Sequence, residues 1–240
     1  VRFEREAKYL CTLNHPNIVK GHYLGHANFR PYLILEYIDG LTLKEFRAAN
    51  LDHKGILAPD MAINIVLQIT AGLEHALDTQ QIIHGDIKLE NVLVDMVGKC
   101  MIIDFGLARN LGDPKLPSSW ELNGAPKYRS PEKWDDFHSR DEKSDIWSLG
   151  IVFYYLLTGR FPFETPHDTG TEMQLRESIL FDELVPPSYL VPSLPGHLDT
   201  LLSLMLSKNK FLRPRLGEIP ILLRSDGAHL GKTIDKVNKT

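Results

Sequence analysis

The stretch HGDIKLEN, residues 84–91, places a carboxylate, an amine and a carboxamide within one short loop. The apolar run Val92 to Val94 follows it and predicts a strand directly after the loop. Phosphoryl transfer needs a base to orient the attacking hydroxyl, positive charge near the phosphoryl group and oxygen ligands for Mg²⁺. Asp86, Lys88 and Asn91 supply these groups in that order. The alternative interpretation of this octapeptide alone is a solvated polar loop between two strands.

Three further motifs follow along the chain. The sequence IIDFG, residues 102–106, ends an aliphatic run with a second carboxylate, Asp104, which is suited to hold Mg²⁺ across nucleotide phosphates. GAPKYRSPE occupies residues 124–132, and DIWSLG occupies residues 145–150. Each motif alone is modest evidence, but their common order and separations favour a single function.

Together these motifs resemble the catalytic domain of eukaryotic-type protein kinases of the serine/threonine type, from residue 1 to about residue 223. The resemblance implies an α+β fold with two lobes: a partial small β lobe in residues 1–38 and a complete, mainly α-helical large lobe in residues 39–224. A polar tail or linker is expected in residues 225–240. ATP and Mg²⁺ are the implied cofactors, and the implied partner is a protein with a serine or threonine acceptor. Lys88, two residues after Asp86, matches the serine/threonine pattern rather than the tyrosine pattern.

The resemblance also assigns residues around the nucleotide. Glu6, on the first predicted helix, matches the acidic residue that pairs with the ATP-anchoring lysine of the family. Leu35 would lie beside the adenine pocket, followed by the hinge segment Glu36 to Ile38, whose backbone would contact the base. Leu93 would lie beneath the base.

Three more residues are implied to support the site. Asp145 would anchor the backbone of the catalytic loop from the large predicted helix. Glu132 would pair with Arg213 in a buried site, where the loss of either partner is costly. The resemblance also implies that Asp86 and Lys88 are catalytic and that Asn91 and Asp104 are the metal ligands.

The sequence departs from the family pattern at several positions. Neither a glycine-rich phosphate loop nor the ATP-anchoring lysine precedes the first helix, and the chain starts at Val1. We therefore expect the chain to begin inside a longer gene product that carries both features upstream, and to bind ATP weakly without them. Gly85 replaces an arginine that would receive an activation-loop phosphate, and Ala125 replaces a threonine that would contact the catalytic residues. Gly21 replaces a bulky residue of a stacked apolar column, a gap that Tyr23 is placed to fill.

These departures leave two alternative functions open. A pseudokinase-type scaffold would tolerate all of the replacements, although a scaffold has no need for a base and two metal ligands. A small-molecule phosphotransferase would share the His-Gly-Asp sequence and the missing arginine, but that family does not usually carry the three later motifs together.

Composition excludes several other classes of function. The 240 residues are 43% apolar, and 27 basic against 31 acidic residues give a net charge of −4. This balance indicates neither nucleic-acid binding nor an anionic membrane surface. Two cysteines are too few for a disulfide framework, which favours a reducing, cytoplasmic location. The longest apolar run, residues 146–157, is too short to cross a bilayer.

Apolar periodicity and turn residues predict the order of helices and strands. A short amphipathic helix ends before Pro16, and a hairpin is expected from the runs Ile18 to Leu24 and Tyr32 to Tyr37. A core helix opens at Pro59, and another extends from Asp141 to about Leu157, before Gly159. Further strands are expected near residues 82–83, 92–94 and 101–103, and further helices near residues 172–180, 198–206 and 219–223.

Overall fold

The computed structural model of the chain begins with a small helix-and-hairpin unit. Helix α1 (Arg2–Thr12) is followed by the antiparallel strands β1 (Gly21–Ala27) and β2 (Arg30–Leu35). The two residues between the strands, Asn28 and Phe29, have φ angles of 50° and 61°, the pattern of a type I′ hairpin turn. The residues that the structure describes are 2–53, 55–112, 125–135, 141–164 and 170–224.

Short strands then frame the loops of the candidate site. A three-stranded antiparallel sheet has the order β3 (Gly40–Thr42), β5 (Val92–Asp95) and β6 (Cys100–Ile102). Strand β4 (Ile82–Ile83) pairs with β7 (Arg109–Asn110). The loop between β4 and β5 and the loop between β6 and β7 both connect these two small sheets, so the two loops lie side by side.

The rest of the described chain is mainly helical. Helix α5 (Glu142–Thr158) lies at its centre, with almost every side chain from Ser144 to Leu157 buried. Asp141 caps the start of α5 by accepting a hydrogen bond from Ser144 N, and Gly159 ends it at a φ of 75°. The other helices of this part are α2 (Leu43–Ala49), α3 (Pro59–Gln80), α4 (Glu132–Asp135), α6 (Glu172–Phe181), α7 (Pro187–Leu190), α8 (Gly196–Met205) and α9 (Ile219–Arg224).

One apolar core joins the two parts. It extends from Leu10 and Leu13 of α1 through α3 and α5 to Leu223 of α9. Helix α3 packs against β6, α5 and α9, and α1 packs against the 3₁₀ turn Phe105–Leu107 that follows β6. The two-lobe α+β fold expected from the sequence is confirmed, with few strands in the small part and a mainly helical large part. Within the ranges given above, every helix is too short or too polar to cross a membrane.

Several predicted elements agree closely with the structure, and others do not. The helices expected near residues 141–157, 172–180, 198–206 and 219–223 are present with bounds that differ by one or two residues. The hairpin is present, but β1 starts at Gly21 rather than Ile18, because buried Ile18 forms an isolated bridge with Ile102 instead. Strand β3 and helix α2 were not predicted. The proposed tail, residues 225–240, lies outside the described residues.

The expectation that Tyr23 fills a gap left by Gly21 is wrong. A Cβ atom on Gly21 would lie 2.8 Å from the carbonyl carbon of Leu10, so β1 closes directly onto the backbone of α1. Tyr23 is 56% exposed, and its ring packs against Tyr32 on the surface of the hairpin. Glycine at position 21 therefore permits a close approach of strand and helix and leaves no space to fill.

Candidate active site

The loop between β4 and β5 is fixed to the buried helix α5. Asp145, in the first turn of α5, accepts hydrogen bonds from the backbone N–H of His84 at 2.8 Å and of Gly85 at 2.7 Å. The Asp145 side chain is almost completely buried. Gly85 has a φ of 78°, in the left-handed region that glycine adopts without strain. The backbone that carries Asp86 is therefore held in one conformation.

Asp86, Lys88 and Asn91 converge on one carboxylate oxygen. Asp86 Oδ2 accepts from Lys88 Nζ at 2.7 Å and from Asn91 Nδ2 at 3.1 Å. Asn91 Nδ2 also donates to the backbone oxygen of Asp86 at 2.9 Å. Asp86 is only 9% exposed, so its charge is compensated mainly by these two neighbours. The three side chains that the sequence pattern selects thus form one cluster.

The segment after β6 places Asp104 next to this cluster. Ile103 N donates to the backbone oxygen of Asn91 at 2.9 Å, which ties the end of β6 to the catalytic-loop candidate. Asp104 follows with a φ of 61°, and its side chain accepts from Gly106 N at 3.0 Å. Positive φ is uncommon in residues other than glycine, although aspartate tolerates it better than most. The side-chain hydrogen bond to Gly106 supports this backbone conformation.

The donor atoms of Asn91 and Asp104 fit a hard cation such as Mg²⁺. Asn91 donates through Nδ2 to Asp86, which leaves Oδ1 as the amide atom able to face a ligand. Asp104 uses one carboxylate oxygen for Gly106, which leaves the second oxygen. Mg²⁺ prefers oxygen ligands and usually takes the remainder from water and phosphate. Nowhere in the described ranges do three or more His, Cys, Asp or Glu side chains form a group able to hold a metal ion by themselves.

An aromatic contact links this region to the first helix. The rings of His84 and Phe105 meet edge to face, with 4.7 Å between their centroids, and both are buried. Leu10 of α1 is buried in the same core. Glu6 lies one turn earlier on α1, on its half-buried side. The helix that carries Glu6 is therefore packed against the segment that carries Asp104.

The residues predicted to contact the nucleotide are not gathered around one cavity. Glu36 and Ile38 line an open cavity of about 310 Å³, and neither Leu35 nor Leu93 lines it. Glu36 also accepts a hydrogen bond from the backbone N–H of Lys20 at 2.6 Å. Leu93 lies opposite Met101 across β5 and β6. The roles of Glu6, of the hinge and of the two leucines in nucleotide binding remain predictions.

Comparison with known proteins identifies the family. The model described as "Protein kinase domain" matches residues 2–220, nearly the whole chain. The chain belongs to the protein kinase domain family. The loop that carries Asp86, the Asp104 segment and the helix that carries Asp145 occur within this single matched region.

Relatives of this kinase domain include named bacterial enzymes. It is 36% identical over 217 residues to serine/threonine-protein kinase PrkC of Bacillus subtilis (strain 168), covering 90% of this chain and 32% of that protein. It is 32% identical over 216 residues to serine/threonine-protein kinase PknB of Mycobacterium tuberculosis (strain ATCC 25618 / H37Rv), covering 87% of this chain and 33% of that protein. The chain thus spans about a third of the length of these curated relatives.

A buried ion pair supports the large lobe of the kinase domain. Glu132 and Arg213 form two parallel hydrogen bonds, each 2.8 Å long. The Arg213 guanidinium also donates to the backbone oxygens of Ser207 and Lys143 and lies 5.0 Å from the ring centroid of Trp147. Burial alone would raise the pKa of Glu132, but the hydrogen bonds and charge of Arg213 hold that pKa below its ordinary value. The two residues therefore join α4 to the segment before α9.

Lys133 lies next to the loop that carries Asp86, a position that the sequence does not predict. It follows Glu132 on α4 and is 7% exposed, and its Nζ lies 3.4 Å from the backbone oxygen of Gly85. A lysine in a short polar segment ordinarily indicates a solvent-exposed position. Only the tertiary packing of α4 beside the loop brings this amine to Gly85.

Proposed function

We propose that this domain transfers the γ-phosphoryl group of ATP to serine or threonine hydroxyls of protein substrates. The observation that carries the proposal is the convergence of Lys88 and Asn91 on Asp86 Oδ2, beside the segment of Asp104. One oxygen of the Asp86 carboxylate is engaged, and Oδ1 remains for an acceptor hydroxyl. Such a set has the base, the cation and the oxygen ligands that phosphoryl transfer requires.

Each residue has a separate task in the proposed reaction. Asp86 Oδ1 orients the acceptor hydroxyl and accepts its proton, while Lys88 fixes Oδ2 and supplies positive charge near the transferred group. Asn91 and Asp104 would hold Mg²⁺, which neutralises negative charge on the phosphates when bound. Asp145 keeps the loop backbone in place before the substrate arrives, so little reorganisation is needed during the reaction.

The type of acceptor residue and the cellular location of the protein are also proposals. Lys88, two residues after Asp86, and the names of the relatives favour serine or threonine over tyrosine. Cys11 and Cys100 are both free, and the reaction consumes ATP, which together favour the cytoplasm. A protein substrate is favoured over a small molecule because the chain carries the family motifs beyond the catalytic loop.

Replacement of Asp86 by asparagine tests the proposal. Transfer of labelled phosphate from ATP to a protein should fall by at least about 10²-fold in Asp86→Asn, because the amide cannot accept the proton. Asp78→Asn, at an exposed position of α3, is the matched control and should leave transfer unchanged. The label should appear on serine or threonine.

Three results would contradict the proposal in different ways. Normal turnover in Asp86→Asn would remove Asp86 from the reaction. Label found only on a small metabolite would assign the domain to small-molecule phosphotransferases. Absence of any Mg²⁺-dependent transfer by the unaltered full-length protein would leave the scaffold function.

A further inference from the structure

An open groove lies beside the hinge segment and away from the catalytic cluster. We call it the hinge groove. Its volume is about 310 Å³, and Met101 forms a buried part of its lining. Neither the proposed catalytic residues, Asp86 and Lys88, nor the proposed metal ligands, Asn91 and Asp104, line it. The lining consists of Glu36–Asp39 on one side and, on the other, Asp95, Met96, Val97, Lys99 and Met101 of the β5–β6 hairpin.

The rim of the hinge groove concentrates exposed apolar surface. In the described part of the chain, four large apolar side chains are more than 80% exposed. Three of them line this groove: Tyr37 at 89%, Val97 at 88% and Met96 at 82%. Isolated exposed apolar residues are ordinary, but several around one concave surface indicate an interaction site.

The groove also has an excess of negative charge. Glu36, Asp39 and Asp95 face one cation, Lys99, among the lining residues. Asp95 Oδ1 accepts from the backbone N–H of Val97 at 2.9 Å and of Lys99 at 2.8 Å, which holds the hairpin turn in shape. The Glu36 carboxylate is held by its hydrogen bond to the Lys20 backbone. Asp95 and Glu36 are thus fixed before any ligand arrives, which lowers the entropic cost of binding.

We propose that the hinge groove binds an extended segment of a partner protein in which lysine or arginine alternates with aliphatic residues. The aliphatic side chains pack on Met96 and Val97, and the basic side chains lie near Asp39 and Asp95. Successive side chains of an extended segment point in opposite directions, so alternation lets one set meet the apolar rim and the other the carboxylates. Charge complementarity selects this partner over an acidic or purely apolar segment. This binding does not depend on phosphoryl transfer.

Fluorescence anisotropy of a labelled peptide of alternating lysine and leucine tests the proposal without ATP. The unaltered protein should bind it saturably and should bind the matching glutamate–leucine peptide much more weakly. The double variant Met96→Ser/Val97→Ser should weaken binding at least about tenfold. Asp39→Asn should weaken it about threefold, and this difference should diminish at high salt.

Matched variants outside the groove serve as controls. Phe181→Ser removes another exposed apolar side chain, and Glu183→Gln removes another exposed acid, and both should bind the peptide normally. Circular dichroism of every variant establishes that the fold is retained.

Each of four outcomes would overturn the proposal. They are absence of saturable binding up to about 1 mM peptide, equal binding of the acidic peptide, normal binding by the double variant, and equal weakening by Phe181→Ser. A separate measurement uses a peptide of residues 225–240, which contains three lysines as well as aliphatic residues. Tighter binding of that peptide would make the chain itself the occupant and overturn the assignment to a partner protein.

Discussion

Replacing Glu132 by glutamine removes the carboxylate that forms an ion pair with the buried Arg213. The Arg213 side chain is completely inaccessible to solvent, and both Glu132 oxygens lie 2.8 Å from its guanidinium nitrogens. Glutamine has nearly the same size but carries no charge and offers one oxygen instead of two. In the variant the positive charge of the buried Arg213 therefore has no negative charge paired with it.

The magnitude follows from what remains around the guanidinium. Breaking a buried ion pair on one side typically costs about 3–5 kcal/mol. The backbone oxygens of Ser207 and Lys143 and the face of Trp147 still stabilise the charge. We therefore expect Glu132→Gln to lower the free energy of unfolding by about 3 kcal/mol, at the lower end of that range.

Urea denaturation of the unaltered protein and the variant measures this change. The matched control is Glu172→Gln, because Glu172 also pairs with an arginine at 2.8 Å but has a side chain that is 57% exposed. Because solvent screens the Glu172 carboxylate, its loss should cost about 1 kcal/mol even though Arg129 itself is buried. The double variant Glu132→Gln/Arg213→Met should be less destabilised than the sum of the single variants, by about 1–3 kcal/mol. A loss below about 1 kcal/mol in Glu132→Gln, or additive effects, would refute the reasoning.

Three further variants test other parts of the domain. Asp145→Asn leaves one of two buried loop N–H groups without an acceptor and should lower the free energy of unfolding by about 1–3 kcal/mol and also lower kcat; unchanged urea curves would contradict this. Burial lowers the pKa of Lys208 from 10.5 to about 8, so between pH 8 and 10.5 the unfolded chain binds more protons than the folded one. The free energy of unfolding should therefore rise with pH in this range. Lys208→Met should lack this rise, and identical pH profiles of the variant and the unaltered protein would contradict the prediction. Gly21→Leu should cost about 1–3 kcal/mol, because its Cβ meets the backbone of Leu10 at 2.8 Å, whereas a gain in thermal stability would mean that a gap exists.

The parts of the fold that depend on local sequence could be predicted well. Asp86, Lys88 and Asn91 lie within six residues of one another, so a short loop is enough to bring them together. Helix α5 has a capping aspartate and a terminating glycine, and its bounds follow from those two residues. Helix α2 was missed although Thr42 and Glu45 form a capping box, a signal that the sequence contains.

The parts that depend on tertiary packing could not be predicted. The start of β1 could not be predicted because Ile18 pairs with Ile102, and the tight turn could not because Phe29 adopts a positive φ that its residue type does not indicate. The close approach at Gly21 and the burial of Lys133 depend on elements that are distant in the chain. Sequence patterns record spacing along one element, whereas these contacts are set by how separate elements meet.

The left-handed backbone at Gly85 affects how the loop that carries Asp86 reaches its conformation. A side chain at that position would raise the energy of the loop by about 1 kcal/mol. Glycine avoids this penalty, but it also lacks the charged side chain that would bind an activation-loop phosphate. Once Asp145 has accepted hydrogen bonds from the two N–H groups, chain folding alone fixes the backbone of His84 and Gly85. The backbone before Asp86 in this chain is therefore held by the Asp145 hydrogen bonds and needs no side chain at position 85.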